Sequence, residues 1–317
     1  YFLLCLIIFL APTDVARILS FGKIGFGLIT TNFLKLKFFI ALAQAPQQPP
    51  AASDPTMRKL MEQVDPIQEM RDFVRDISRY ARSLERNFGI ITQGGLEILE
   101  KEDPVDTTQK SPATTYIKSI DGINILGLNY RPPLKAKGKI ITEKKVKKNL
   151  MRLAKIGQQQ GLKIFVLDFA ENIKSAKESY NLNLENKFIP FTAKSIGTKF
   201  SFKSITNILS RPINENPKNI TGLKAVQNFL YLTDTSNFDR QQDFVIAVSN
   251  TNYDILIIDV FHKGREPFKK AAIQGMKFKK LGARRLVYAY INIGEAENYR
   301  YYWQDSWGEG EPSFISE

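Results

Sequence analysis

The residues best suited to chemistry lie in the stretch INIGEAENYRYYW, residues 291–303. An apolar run ends there in two carboxylates, Glu295 and Glu297, followed by Arg300, Tyr302 and Trp303, with Tyr290 just upstream. A strand core has no use for such an ending, whereas a site that grips a polar ligand does. The chain contains one histidine, His262, and one cysteine, Cys5. A His pair for a metal, a cysteine-based zinc site and thiol catalysis in the body of the chain are thereby excluded, and a Ser-His-Asp triad is disfavoured. Acid–base work must fall to carboxylates, tyrosine or lysine. Neither G-x-G-x-x-G nor a Walker A pattern follows any apolar run, so no nucleotide cofactor and no metal is expected.

Seven apolar runs must position these groups: residues 88–93, 119–128, 163–169, 188–193, 229–233, 253–260 and 285–293. Several are continuous rather than alternating, as in parallel strands covered on both faces. Amphipathic segments lie between them. Residues 142–160 carry Val146, Leu150, Leu153 and Ala154 on one face and Lys144, Lys145, Lys147 and Lys148 on the other. Asp65 and Pro66 form a helix start, with Met70, Phe73, Val74, Ile77, Ala81 and Leu84 on a shared face. Gly161 and Gly282 occupy C-cap positions. Strands alternating with helices define an α/β architecture. Polar residues end strand after strand: Gln93, Asp168, Asp234, Asp259, and Glu295 with Glu297. In a (β/α)8 TIM-barrel-like fold such ends converge on the face that carries the active site. We therefore expect that fold over residues 65–317, incomplete at its C-terminal end because no eighth strand is visible there.

Residues 1–45 read as a signal or leader-like segment. FLLCLIIFLAP is too short to span a bilayer, so no stable membrane span is expected. KLKFFIALAQA has the basic start, apolar middle and Ala-x-Ala end of a secretory signal, which implies a secreted or periplasmic protein. An unstructured upstream segment is the alternative. Residues 46–64, rich in Pro, Gln and Ala, read as a linker. The formal net charge of +13 arises largely from lysine, read as solvated helix faces, with affinity for nucleic acid or an anionic surface or polymer as the alternative. No RNP-like motif, zinc spacing or arginine-rich arm is present, so no nucleic-acid partner is expected.

INIGEAENYRYYW resembles the SIGEAE-YR-YW segment of the endo-alpha-1,4-polygalactosaminidase group, glycoside hydrolase family 114. The match rests on Ile293, Gly294, Glu295, Ala296, Glu297, Tyr299, Arg300, Tyr302 and Trp303. FLYLTDTSNF is similar to that family's first barrel strand, and TNYDILIIDVF to the strand ending in its aspartate, here Asp259. The likeness extends over roughly residues 70–303, through NFGIITQGGLEIL, YIKSIDGI and GLKIFVLDF. Three features depart from the family. Segments 70–193 precede the IGEAE strand instead of following it, which suggests a rotated strand order or a tandem arrangement. The family's DGVYLD strand has no counterpart. Leu126 and Gly94 stand where relatives carry a glutamate and an asparagine.

The resemblance implies a glycosidase acting on a polysaccharide, with an alpha-1,4-linked galactosamine polymer as the candidate substrate. Such enzymes use two carboxylates astride the scissile bond. Glu297 and Asp259 are the candidate catalytic pair, with Asp168, Gln93, Tyr290, Arg300, Tyr302 and Trp303 as substrate-binding residues. Each has a structural alternative. Glu297 could stabilise a helix N-terminus, and Asp168 and Asp259 could cap the following loops. Arg300 could pair with Glu297, the aromatics could be core, and His262 reads as a loop residue. At the level of the whole chain, the alternative is a carbohydrate-binding barrel without catalysis.

Overall fold

The computed structural model describes residues 5–9, 65–103, 105–106, 108–132, 141–196, 199–200, 203, 205, 211–293, 298–300 and 303–307. All seven expected strands form. They are β2 (Ile90–Gln93), β3 (Gly122–Leu126), β4 (Lys163–Ala170), β5 (Ile189–Ile196), β6 (Phe229–Leu232), β7 (Ile255–Ile258) and β8 (Leu286–Asn292). An eighth, β1 (Cys5–Phe9), comes from the segment expected to belong to a leader. The order across the sheet is β5-β4-β3-β2-β1-β8-β7-β6, with the short strand Lys199–Phe200 added beyond β5. Neighbouring pairs among β2 to β8 are parallel, whereas β1 runs antiparallel to both β2 and β8. Cys5 is thereby paired with Gln93 on one side and Asn292 on the other.

Among the described residues five helices of seven residues or more connect or flank the strands: α1 (Pro66–Leu84), α2 (Lys144–Gln159), α3 (Ile173–Glu185), α4 (Gln241–Ser249) and α5 (Lys270–Met276). Asp65 caps α1 as expected, its Oδ1 accepting from the Ile67 and Gln68 amides at 2.9 and 3.2 Å. That bond satisfies two of the donors a helix start leaves open, an effect worth ~1 kcal/mol. Of the apolar stripe on α1, Val74 and Ala81 are buried, whereas Leu84 is half exposed at the helix end. Helix α2 packs against the sheet with Gly157 next to Ile123, Leu162 and Ile164. It is followed by Gly161 at φ 91°, the left-handed residue that turns the chain into β4.

The sheet curls on itself. Phe165 of β4 meets Phe229 of β6 edge-on at 5.3 Å, and Phe191 of β5 lies 5.5 Å from Phe229. These contacts join strands at opposite ends of the hydrogen-bonded order, so the rings define an inner face. Register then assigns the rest. Gln93, Asn124, Phe165, Leu126 and Leu167 share that face, as do Tyr231, Ile257, Tyr288 and Tyr290. Ile123 and Ile164 face outward to α2. Both faces are therefore apolar over most of their length, which is why the strands read as unbroken apolar runs.

Candidate functional site

The inner face changes character at the C-terminal ends of the parallel strands. Apolar rings give way there to Gln93 of β2, Asn124 of β3, Tyr290 and Asn292 of β8, and Asp259 just beyond β7. Asn124 Nδ2 donates to Gln93 Oε1 at 2.7 Å, with both residues buried. Asn124 Oδ1 is buried and has no hydrogen-bond partner among the described residues. A buried amide oxygen left in that state favours a ligand donor arriving from the open end. Tyr231 and Tyr290 meet edge-on at 6.1 Å across the intervening β7. Tyr231 is buried and Tyr290 half-buried, so the pair presents an aromatic wall rather than a sealed core.

Asp259 and Arg300 form the charged part of the site. Arg300 Nη1 donates to Asp259 Oδ2 at 2.5 Å, and both side chains are less than a tenth exposed. Asp259 Oδ1 also accepts from the Phe261 amide at 2.9 Å, which fixes the carboxylate in the turn after β7. The Arg300 guanidinium lies over the Tyr299 ring at 5.0 Å, while Arg265 Nε donates to the Tyr299 carbonyl. Arg300 is thus held from two sides, and the pairing that the sequence left open between Glu297 and a ligand includes Asp259. An ion-paired carboxylate can accept a hydrogen bond or stabilise positive charge, and is poorly placed to give up a proton.

The remaining expected residues divide. Glu297 and Tyr302 lie outside the described residues, as does Glu295. Trp303 is half-buried, its amide donates to the Arg300 carbonyl at 3.1 Å, and its ring meets Trp307 edge-on at 5.4 Å. Gln93, Asp259, Tyr290 and Arg300 gather at one end of the inner face.

Asp168 does not join them. It points outward, fully buried, and its carboxylate accepts from Asn129 N and Nδ2 at 2.9 Å each and from Ser179 Oγ at 2.7 Å. Tyr130 N and Asn183 Nδ2 each add a bond at 3.2 Å. The reading of Asp168 as a substrate-binding residue is therefore corrected. It pins α3 and the loop after β3 to β4, close to the loop-capping alternative. The physical reason is strand parity, since Asp168 is an odd number of residues from inward-facing Phe165. Asp234 likewise serves its own turn, accepting from the Ser236 amide, and pairs with Lys203. His262 is buried, with Nε2 2.9 Å from the Phe238 carbonyl in the hairpin Phe261–His262 with Glu266–Pro267, a structural role.

Asn124, Asn292 and Tyr231 were missed in the sequence. The available signal was a polar or aromatic residue inside an apolar run at even spacing from an inward-facing neighbour. Among the described residues no three His, Cys, Asp or Glu side chains are grouped to hold a metal ion. Among them, too, no helix is long and apolar enough to cross a membrane.

The curated proteins that this chain resembles are uncharacterized. It is 28% identical over 149 residues to an uncharacterized protein of Methanocaldococcus jannaschii, covering 45% of this chain and 41% of that protein. An uncharacterized protein of Thermotoga maritima is 32% identical over 74 residues, 23% of this chain and 22% of its own length. One from Deinococcus radiodurans is 29% identical over 69 residues, 22% of this chain and 21% of its own. The chain thus spans less than half the length of these curated relatives. No family model matches it.

Proposed function

We propose that this chain is a glycosidase-like (β/α)8-type barrel whose inner-face site takes a polysaccharide. The curl that brings β5 and β6 together supports the barrel reading, with β1 as an antiparallel eighth member. The observation that carries the functional reading is the polar and aromatic end of the inner face. The buried Asp259–Arg300 pair, the Gln93–Asn124 amides and the Tyr231–Tyr290 wall lie where a fold of this type carries its chemistry. Amides and carboxylates suit sugar hydroxyls, and tyrosine rings suit the apolar faces of sugars. In this reading Asp259, held by Arg300, orients the substrate or stabilises an oxocarbenium-like centre. Glu297, three residues before Arg300, serves as the proton donor.

The test is release of reducing ends from polysaccharides, an alpha-1,4-linked galactosamine polymer among them. Glu297→Gln and Asp259→Asn should each lower the rate by about 10²–10⁴-fold, the usual contribution of such groups. Undiminished rates in both variants would overturn the residue assignment. A second reading, glycan binding without catalysis, is favoured by Leu126, an apolar side chain at the inner-face position where the resembled family carries a glutamate. Saturable glycan binding with no released ends on any polymer would select it.

A further inference from the structure

Positive charge is concentrated beside the site. Residues 131–132 and 141–155 hold seven Lys or Arg against a single acid, Glu143, a local net charge of +6 among the described residues. This segment leaves the sheet at the site's own end, because β3 finishes at Leu126 and α2 begins at Lys144. Thr142 ties the two together, its Oγ1 donating to the Gly127 carbonyl at 2.6 Å and its amide to the Asn129 carbonyl at 2.9 Å. The first turns of α2 are therefore fixed next to the strand end that carries Asn124 and Leu126.

Part of this charge is already engaged. Arg131 lies 3.7 Å from Glu143, Arg152 pairs with Glu100 at 2.5 Å, and Lys155 lies over Phe188 while bonding the Asn186 carbonyl. Lys144, Lys145, Lys147 and Lys148 have no carboxylate partner among the described residues, and all but half-buried Lys147 are exposed. Their placement opposes the helix twice over. Cations in the first turns oppose the positive end of the macrodipole. Lys144 with Lys148, and Lys144 and Lys145 with Lys147 and Lys148 at three-residue spacing, are like-charge neighbours. The Glu143 side chain makes no capping bond to relieve them. An external anion relieves both effects at once.

We infer that this lysine shelf binds the acidic groups of an anionic polysaccharide whose neighbouring sugars enter the inner-face site. The inference rests on the glycan reading of that site and names its substrate class as a carboxylate- or sulfate-bearing polymer. A cationic galactosamine polymer would be repelled from this side. Nucleic acid fits less well, because residues 131–155 contain no aromatic residue on which a base could stack. A membrane surface would need more apolar area than exposed Ile141 and Val146 provide.

The experiment measures binding of the full chain to polygalacturonate and chondroitin sulfate across a salt series. Dextran and chitosan serve as neutral and cationic polymers, and duplex DNA and phosphatidylserine vesicles as competing anionic surfaces. The acidic polysaccharides should bind with an affinity that falls with salt. The variant K144Q/K145Q/K147Q/K148Q should weaken binding about tenfold or more and flatten the salt slope. The corresponding Lys→Arg variant should restore binding, and K144Q/K148Q provides a milder version should the fourfold change impair folding. Unchanged binding by the Gln variants, or equal binding of DNA or vesicles, overturns the inference. Acidic-polymer binding lost in Tyr290→Ala but intact in the lysine variants would overturn the shelf and keep the glycan site. Acidic polymers held by the lysines, yet never cleaved and indifferent to Tyr290→Ala, would overturn the glycan site itself.

Discussion

Asp168 and Asp259 both follow apolar runs, yet the residue they serve differs because a strand alternates sides. Asp259 reaches the inner face and meets Arg300, whereas Asp168 faces α3 and gathers five donors. Asp168→Ala should therefore cost ~3 kcal/mol or more of stability, because five buried donors lose their common acceptor. The urea midpoint should fall, while binding at the proposed glycan site stays intact in the folded fraction. Asp259→Asn should lower turnover at the proposed site and, because it leaves the buried Arg300 cation with a neutral partner, should lower the urea midpoint as well. Lys277 offers a separate test. Burial, with a smaller contribution from the Arg284 cation, pushes its ammonium down to about 8. The unfolded chain then holds more protons than the folded one between about 8 and 10.5. Lys277 thus weakens the fold below that window and ceases to do so as pH rises through it. Lys277→Met should raise the melting temperature at neutral pH by ~1–3 °C and flatten the dependence between pH 8 and 10. Scanning calorimetry at several pH values measures both.

At the scale of elements, β1 is the member that alternating strands and helices do not explain. It fills the place between β2 and β8 and runs against both. Each of those strands would otherwise present an unpaired edge, and exposed edges recruit other chains. Ile7→Pro removes a backbone donor from a strand paired on both sides, a change that costs ~3 kcal/mol or more in comparable positions. The variant should unfold at lower denaturant and form larger species by light scattering. Wild-type stability and a monodisperse profile would mean that β1 contributes little to the sheet. The seven parallel strands, α1 and α2 were legible from sequence, although Val146, expected on the buried face of α2, is exposed. The capped start of α1 and the Gly161 stop are local signals, fixed by donors and φ angles within a few residues.

At the scale of the whole molecule, charge is distributed unevenly. One region is anchored by a fully buried ion pair, Lys279 Nζ to Asp254 Oδ1 at 2.6 Å, with Asn216 Nδ2 and the Gln227 amide also donating to the Asp254 carboxylate. Breaking that pair by Asp254→Ala would strand an ammonium in the interior, a loss of about 3–5 kcal/mol that chemical denaturation would register. The excess of lysine instead accumulates on one shelf beside the site, where solvent screening leaves only short-range attraction for an acidic polymer, over ~8 Å at physiological salt.

The sequence by itself determined the seven parallel strands, the helices α1 and α2, and the exclusion of a histidine pair and of cysteine-based sites in the body of the chain. Those depend on periodicity, caps and residue counts, which are local or global properties of the chain. It also identified Gln93, Asp259, Tyr290 and Arg300 as candidates, because each stands at a strand end or in a polar cluster. Which way each side chain faces was decided only in the tertiary structure. Register and curl made Asn124 part of the site and removed Asp168 from it. The pairing of Asp259 with Arg300, separated by 41 residues, and the insertion of β1 far from its own neighbours are long-range outcomes. No local pattern encodes them, because they follow from which strands lie side by side.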